Sequence, residues 1–137
     1  RGMQALIMLD VDRFKDVNDT YGHAVGDEAL RQSAALLKRH FRGSDIVGRV
    51  GGDEFIVFMK NIPGGTIVSS QLESSARLSR HPHREAQDLR LTCSAGAALA
   101  PADGGDFDTL YKKADLALYS VKRGARDGFA IYKDSGS

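Results

Sequence analysis

The sequence predicts an α/β domain, a mixed β-sheet flanked by helices. Three observations carry this. Short apolar runs of strand length alternate with longer stretches whose apolar residues recur every three or four positions. Two of the apolar runs are joined by a glycine turn, as in an antiparallel hairpin. The resulting order is strand, two helices, hairpin, helix, strand, helix, strand, which a mixed sheet accommodates.

"MQALIMLDVD" (3–12) is an apolar run closed by acid, too short for a stable helix and read as a buried strand. "RFKDVNDTYGHAVGD" (13–27) is polar, with Gly22 and Gly26 as breaks. A short helix is expected there, then a second from about Gly26. Leu30, Ala34, Leu37 and Phe41 give the second helix an apolar stripe, and Gly43 is placed to stop it. "DIVGRV" (45–50) and "EFIVFMK" (54–60) form the hairpin about Gly51, Gly52 and Asp53. Pro63, Gly64 and Gly65 break the chain before a helix over 67–80, with Leu72, Ala76 and Ser79 on one side. "HPHREAQ" (81–87) reads as a polar loop, "LRLTCSAGAAL" (89–99) as a strand and "PADGGDFD" (101–108) as a loop. A helix follows over 107–123, with Asp108 as candidate N-cap and Leu110, Ala114, Ala117, Leu118 and Val121 facing inward. "GFAIYK" (128–133) is a last short strand.

The 137 residues suit one compact domain spanning 1–137, without internal repeat or linker. Hydrophobic residues make up 42% and charged residues 27%, an ordinary globular composition. Lys and Arg total 19 against 18 Asp and Glu, so the basic excess of a nucleic-acid or membrane-surface binder is missing. No apolar run has the length of a membrane span. Cys93 is the single cysteine, which excludes an internal disulfide and a cysteine-based metal cluster. A reducing, cytoplasmic setting fits, whether or not a parent protein is membrane-anchored.

Several polar residues carry candidate chemistry. Asp10 lies where the first strand ends and Asp12 two residues on; in an extended chain their side chains share a face. Asp53 lies at the hairpin tip, so Asp10 and Asp53 converge if the first strand neighbours the hairpin. Paired carboxylates suit Mg²⁺, which takes one or two of them plus substrate phosphates and water; strand ends also carry merely solvated acids. Lys122 and Arg126 share a helix face if the last helix runs that far, unless Gly124 ends it sooner. They suit phosphate oxygens, or simply complement a helix C-terminus. The helix opened by "FKDVND" (14–19) offers backbone N–H groups to phosphate. Asn18 and Asp27 can together read a purine edge, or serve local turns and caps. His23 is either a ligand contact or an exposed loop residue. "RGSD" (42–45) is an Arg-x-x-Asp pair that fits equally a helix end and turn.

Together "LDVDRFKDVNDTYGHAVGDEAL" (9–30), "GRVGGDEFIVF" (48–58), "TCSAGAAL" (92–99) and "ADLALYSVKRGARDG" (114–128) resemble the successive blocks of a GGDEF domain, the diguanylate cyclase family. The resemblance runs from about residue 4 to about residue 132. It implies a fold like the adenylyl cyclase catalytic core, with a ferredoxin-like central sheet. It implies a reaction that joins two GTP into cyclic di-GMP and releases two pyrophosphates.

By matching position, the resemblance implies Mg²⁺ or Mn²⁺ on Asp10, Asp53, Glu54 and the carbonyl of Val11. It makes Asp53 the candidate base for the attacking 3′-hydroxyl, with Glu54 assisting. Asn18 and Asp27 are to recognise guanine, with His23 nearby. The backbone at Phe14 and Lys15, with Lys122 and Arg126, is to hold the β- and γ-phosphates. Gly51 and Gly52 are to let the nucleotide approach closely. Arg42 and Asp45 match the family's product-inhibition site by spacing, with Arg77 or Arg80 as candidates for its second arginine. Each domain takes one GTP, so a homodimer is implied, with GTP and cyclic di-GMP as ligands and neither nucleic acid nor membrane in direct contact. The rival expectation is a non-catalytic module that binds GTP or cyclic di-GMP and regulates a partner. The sequence departs from the pattern at Val50, at Asp127 and in the family's opening Asp-x-Leu-Thr-x-Leu-x-Asn-Arg segment, which does not precede the first strand here. A truncated domain, with a weakened guanine pocket, is the expectation from that.

Overall fold

The structure, a computed structural model, describes residues 2–41, 45–79, 82–83, 86–90, 92–124 and 128–133. The strands are β1 (Met3–Val11), β2 (Ile46–Gly51), β3 (Glu54–Ile62), β4 (Pro82–His83), β5 (Ala86–Arg90), β6 (Cys93–Ala100) and β7 (Gly128–Ile131). The helices are α1 (Phe14–Tyr21), α2 (His23–His40), α3 (Gly65–Ser79) and α4 (Phe107–Arg123). Five strands form one sheet in the order β2-β3-β1-β6-β7. Its pairs are antiparallel except β6 with β7, so the sheet is mixed, as expected.

β1 is apolar from Ala5 to Leu9, and those residues are buried on both faces. Ala5, Ile7, Leu9 and Val11 pack with Val17 of α1, Leu30 and Leu37 of α2, and Val68 and Leu72 of α3. Leu6 and Met8 point the other way, onto Leu110, Ala114 and Leu118 of α4. The period of two thus divides one strand between two cores. Asp10 continues the even-numbered set and so emerges on the α4 side.

α4 lies very close to β6. A Cβ built at Gly96 would fall 2.2 Å from the Leu118 nitrogen and 2.3 Å from the Ala114 oxygen. Only glycine fits there, and Ala98, Ala100 and Ala114 keep the rest of that seam thin. This intimacy brings the end of α4 within reach of β1.

The structure corrects several boundaries. The break between the first two helices falls at Gly22, with φ 91, and α2 starts at His23 rather than near Gly26. Gly26 is instead buried inside α2, where a Cβ would sit 1.9 Å from Asn18 Oδ1. β1 stops at Val11 because Arg13 turns the chain through a left-handed φ of 56. The α4 N-cap is Asp106, not Asp108: its carboxylate accepts the Thr109 N–H at 2.8 Å, while Asp108 lies in the first turn. The expected loop over 81–87 contains β4 and the start of β5, which pair as a small hairpin. The strand expected over 89–99 is divided, since the Thr92 carbonyl accepts from the Asp12 N–H at 2.9 Å before β6 begins. Gly43 and Asp127 lie outside the described residues.

Candidate active site

Asp10, Asp53, Glu54 and Lys122 gather at one end of the sheet. Asp10 is only 4% exposed. In register it faces Glu54 on β3 and Ser94 on β6. Cross-strand partners share a face, so Glu54, not Asp53, stands directly opposite Asp10. Asp53 belongs to the turn between β2 and β3, and its carbonyl accepts the Val11 N–H at 3.2 Å. The hairpin tip is thereby tied to the end of β1. Arg49 braces the same turn, its Nε donating to the Gly52 carbonyl at 2.9 Å.

Lys122, in the last turn of α4, forms an ion pair with Asp10 Oδ2. The other oxygen, Oδ1, is buried and has no hydrogen-bond partner. Burial holds the Asp10 carboxyl above the usual carboxylate range; the Lys122 bond and charge oppose this, and the Asp53 and Asp115 charges add to it. Burial also raises Glu54, reinforced by the Asp10 charge. The Tyr111 phenol is pushed up by burial and then by Glu54, Asp115 and Asp10. Lys122 thus sits in an acidic field made by Asp10, Asp53, Glu54 and Asp115.

Among the described residues, no group of three or more His, Cys, Asp or Glu side chains is drawn together as a metal cage. The expected set of Asp10, Val11, Asp53 and Glu54 occupies neighbouring positions without closing on a point. The donors nonetheless fit a hard divalent cation: they are oxygens, and the buried Asp10 Oδ1 lacks a partner.

The glycines of the turn differ in kind. Gly52 has a positive φ of 46, which favours glycine. Gly51 does not, and a Cβ at either position would meet nothing within 4 Å. The space above the turn is open.

Part of the remaining expected set lies among the described residues. Phe14 and Lys15 open α1, whose N-cap Arg13 supplies no side-chain hydrogen bond. Lys15 is exposed and lies 3.7 Å from Asp19. Asn18 is half-buried, with its Oδ1 unpartnered against Gly26. Asp27, the next residue along α2, is exposed, as is His23. α4 ends at Arg123, with Gly124 as its C-cap. Arg126, Arg42 and Arg80 lie outside the described residues, as does the Arg77 side chain; Asp45 precedes β2.

Sequence reasoning passed over Arg49, Asp115 and Tyr111. The signals were faint: an arginine just before the glycine pair, and helical spacing from Tyr111 through Asp115 to Lys122. It also passed over the hydroxyls of Thr92 and Ser94, which meet Asp12 from 80 and 82 residues away.

The family described as diguanylate cyclase, GGDEF domain, matches residues 2–128. The chain belongs to the GGDEF family. It is 37% identical over 122 residues to the probable diguanylate cyclase DgcC of Escherichia coli K12, covering 89% of this chain and 33% of that protein. It is 34% identical over 128 residues to the cyclic di-GMP phosphodiesterase PdeR of the same organism, covering 93% of this chain and 19% of that protein. Among solved structures, the GGDEF domain of PA1120 (YfiN or TpbB) from Pseudomonas aeruginosa superposes with a TM-score of 0.94 at 31% identity, covering 98% of this chain and 85% of that one. The mixed sheet with flanking helices is thus the GGDEF fold. The chain spans a third or less of the length of these two sequence relatives, and they carry different activities in their names. No described helix is long and apolar enough to cross a membrane.

Proposed function

We propose that this chain is a diguanylate cyclase domain, joining two GTP into cyclic di-GMP with release of two pyrophosphates. The observation that carries the reading is the buried Asp10, with one oxygen unpartnered, facing Glu54 beside the Asp53 turn. Mg²⁺ or Mn²⁺ would be held by Asp10, Asp53, Glu54 and the Val11 carbonyl. A bound ion there neutralises triphosphate charge and lowers the pKa of the attacking hydroxyl.

In this reading the 3′-hydroxyl of one GTP attacks the α-phosphorus of the other. The bond from that phosphorus to the bridging oxygen of pyrophosphate breaks, and Asp53 takes the hydroxyl proton. Repeating the step in the opposite sense closes the ring. Lys122, paired with Asp10 in this structure, would with Arg126 hold the β- and γ-phosphates. The uncapped start of α1 presents the Phe14 and Lys15 amides to the same phosphates. Asn18 and Asp27 read guanine beside His23, and the open space over Gly51 and Gly52 admits the nucleotide.

One site holds one GTP, so two copies must face each other about a two-fold axis. Arg42 and Asp45 bind the product and limit synthesis, a role supported by their Arg-x-x-Asp spacing ahead of β2. The test is purified protein with GTP and Mg²⁺ over a range of protein concentrations, with products separated by chromatography. Cyclic di-GMP, at a specific activity that rises with concentration, is expected. GTP bound without turnover favours a regulatory binding module, the reading that the phosphodiesterase relative supports. Neither binding nor turnover sinks both.

A further inference from the structure

The proposed chemistry makes no use of Asp12, yet Asp12 is among the best-held side chains of the mouth. It is 7% exposed. Its Oδ2 accepts the Thr92 hydroxyl at 2.7 Å and its Oδ1 the Ser94 hydroxyl at 2.6 Å. Its backbone N–H also donates to the Thr92 carbonyl at 2.9 Å. Ser94 is itself fully buried. Both carboxylate oxygens are thus engaged by short, charge-assisted bonds, in contrast with the unpartnered Oδ1 of Asp10.

The position of this clamp gives it meaning. On one side of Asp12 lies Val11, whose carbonyl is a candidate metal ligand. On the other lies Arg13, a non-glycine residue held at a left-handed φ of 56, and then the start of α1. Such a conformation persists only where the surroundings impose it. No side-chain cap bond fixes that helix start. The bonds to Thr92 and Ser94 therefore set the direction of the Val11 carbonyl and of the Phe14 and Lys15 amides together.

We propose that Asp12, held by Thr92 and Ser94, is a positioning residue that couples the metal subsite to the triphosphate subsite. The inference rests on the cyclase reading, since it assumes that both subsites exist. Its role is to aim backbone groups, and it touches neither ion nor substrate.

Binding measurements test this without turnover. Mn²⁺ affinity is measured in the presence of 3′-deoxy-GTP, which lacks the attacking hydroxyl, by water-proton relaxation. The proteins compared are wild type, Asp12→Asn, Thr92→Val, Ser94→Ala, the hydroxyl-retaining Thr92→Ser, and Val68→Ala. Val68 is buried on the inner face of α3 and serves as a control for lost stability. Thr92→Val and Ser94→Ala are expected to stay folded while Mn²⁺ affinity falls tenfold or more, with the nucleotide following. Thr92→Ser and Val68→Ala are expected to keep wild-type affinity. Unchanged affinity in the hydroxyl-deleted variants, or an equal loss in Val68→Ala, overturns the proposal alone. A wild type that binds neither Mn²⁺ nor nucleotide overturns the cyclase reading and this one with it.

Discussion

Lys122 on α4 and Asp10 on β1 form an ion pair across the interface between helix and sheet, the lysine one-third exposed and the aspartate nearly buried. Deleting the cation leaves a buried carboxylate without its counter-charge. Lys122→Met is expected to lose about 2 kcal/mol at pH 7, below the full value for a buried pair because the lysine is partly solvated. Part of that loss should vanish at acid pH, where the freed Asp10, already raised by burial, takes a proton. Urea denaturation at the two pH values checks this, and an equal loss at both contradicts it.

Glu54 offers a second pH test. Burial and the Asp10 charge raise its carboxyl above the ordinary value. The native state then holds the proton more tightly than the unfolded chain. The associated stability is full below the unfolded pKa, about 4, and is lost as pH rises through the higher folded value. Glu54→Gln removes that loss. Its melting temperature should exceed wild type at pH 7, and the advantage should disappear near pH 4. Mg²⁺ should narrow the gap at pH 7 by stabilising wild type more than the variant. Calorimetry across that range decides the matter.

Gly96 and Gly51 separate packing from ligand approach. A Cβ at Gly96 meets backbone atoms of α4, which no rotamer change relieves. Gly96→Ala should cost about 3 kcal/mol or more by prying α4 off β6. A Cβ at Gly51 meets nothing. Gly51→Ala should keep wild-type stability within about 0.5 kcal/mol and still weaken GTP binding several-fold. Equal behaviour of the two variants in denaturation and nucleotide titration contradicts the distinction.

Asp53→Asn keeps the shape of the turn and its carbonyl bond to Val11 but removes the anion. Cyclic di-GMP formation is expected to fall by several orders of magnitude, as for loss of a group acting in the transition state. GTP binding should persist at reduced affinity. Near-normal turnover removes Asp53 from the proposed base role.

Much of this architecture was legible in the chain. The unbroken apolar run of β1 announced a strand covered on both faces, and the stripe of Leu110, Ala114, Ala117 and Leu118 announced the face α4 buries. The glycine pair between two apolar runs announced the hairpin. What escaped was decided by geometry rather than pattern. Asp106 and Asp108 are equally good cap residues, and only the extended backbone at Asp106 selects between them. Gly26 looked like a helix break because nothing local shows Asn18 pressed against it. The Asp12 clamp joins residues 80 and 82 positions apart, beyond any local periodicity. Glu54 rather than Asp53 faces Asp10 because strand register, which spacing alone does not set, puts it there.

The Asp10–Lys122 pair also has a meaning in time. The two residues stand 112 positions apart. During synthesis the acidic end of β1 emerges early and its cation emerges only with the last turn of α4. Domains generally fold as units, and here the unit cannot balance its buried charge until that last turn exists. A nascent chain halted before α4 would carry the motif of Asp10, Asp53 and Glu54 complete in letters and unfinished in charge. The mouth of the site is therefore balanced electrostatically by a residue made long after the acid it pairs with.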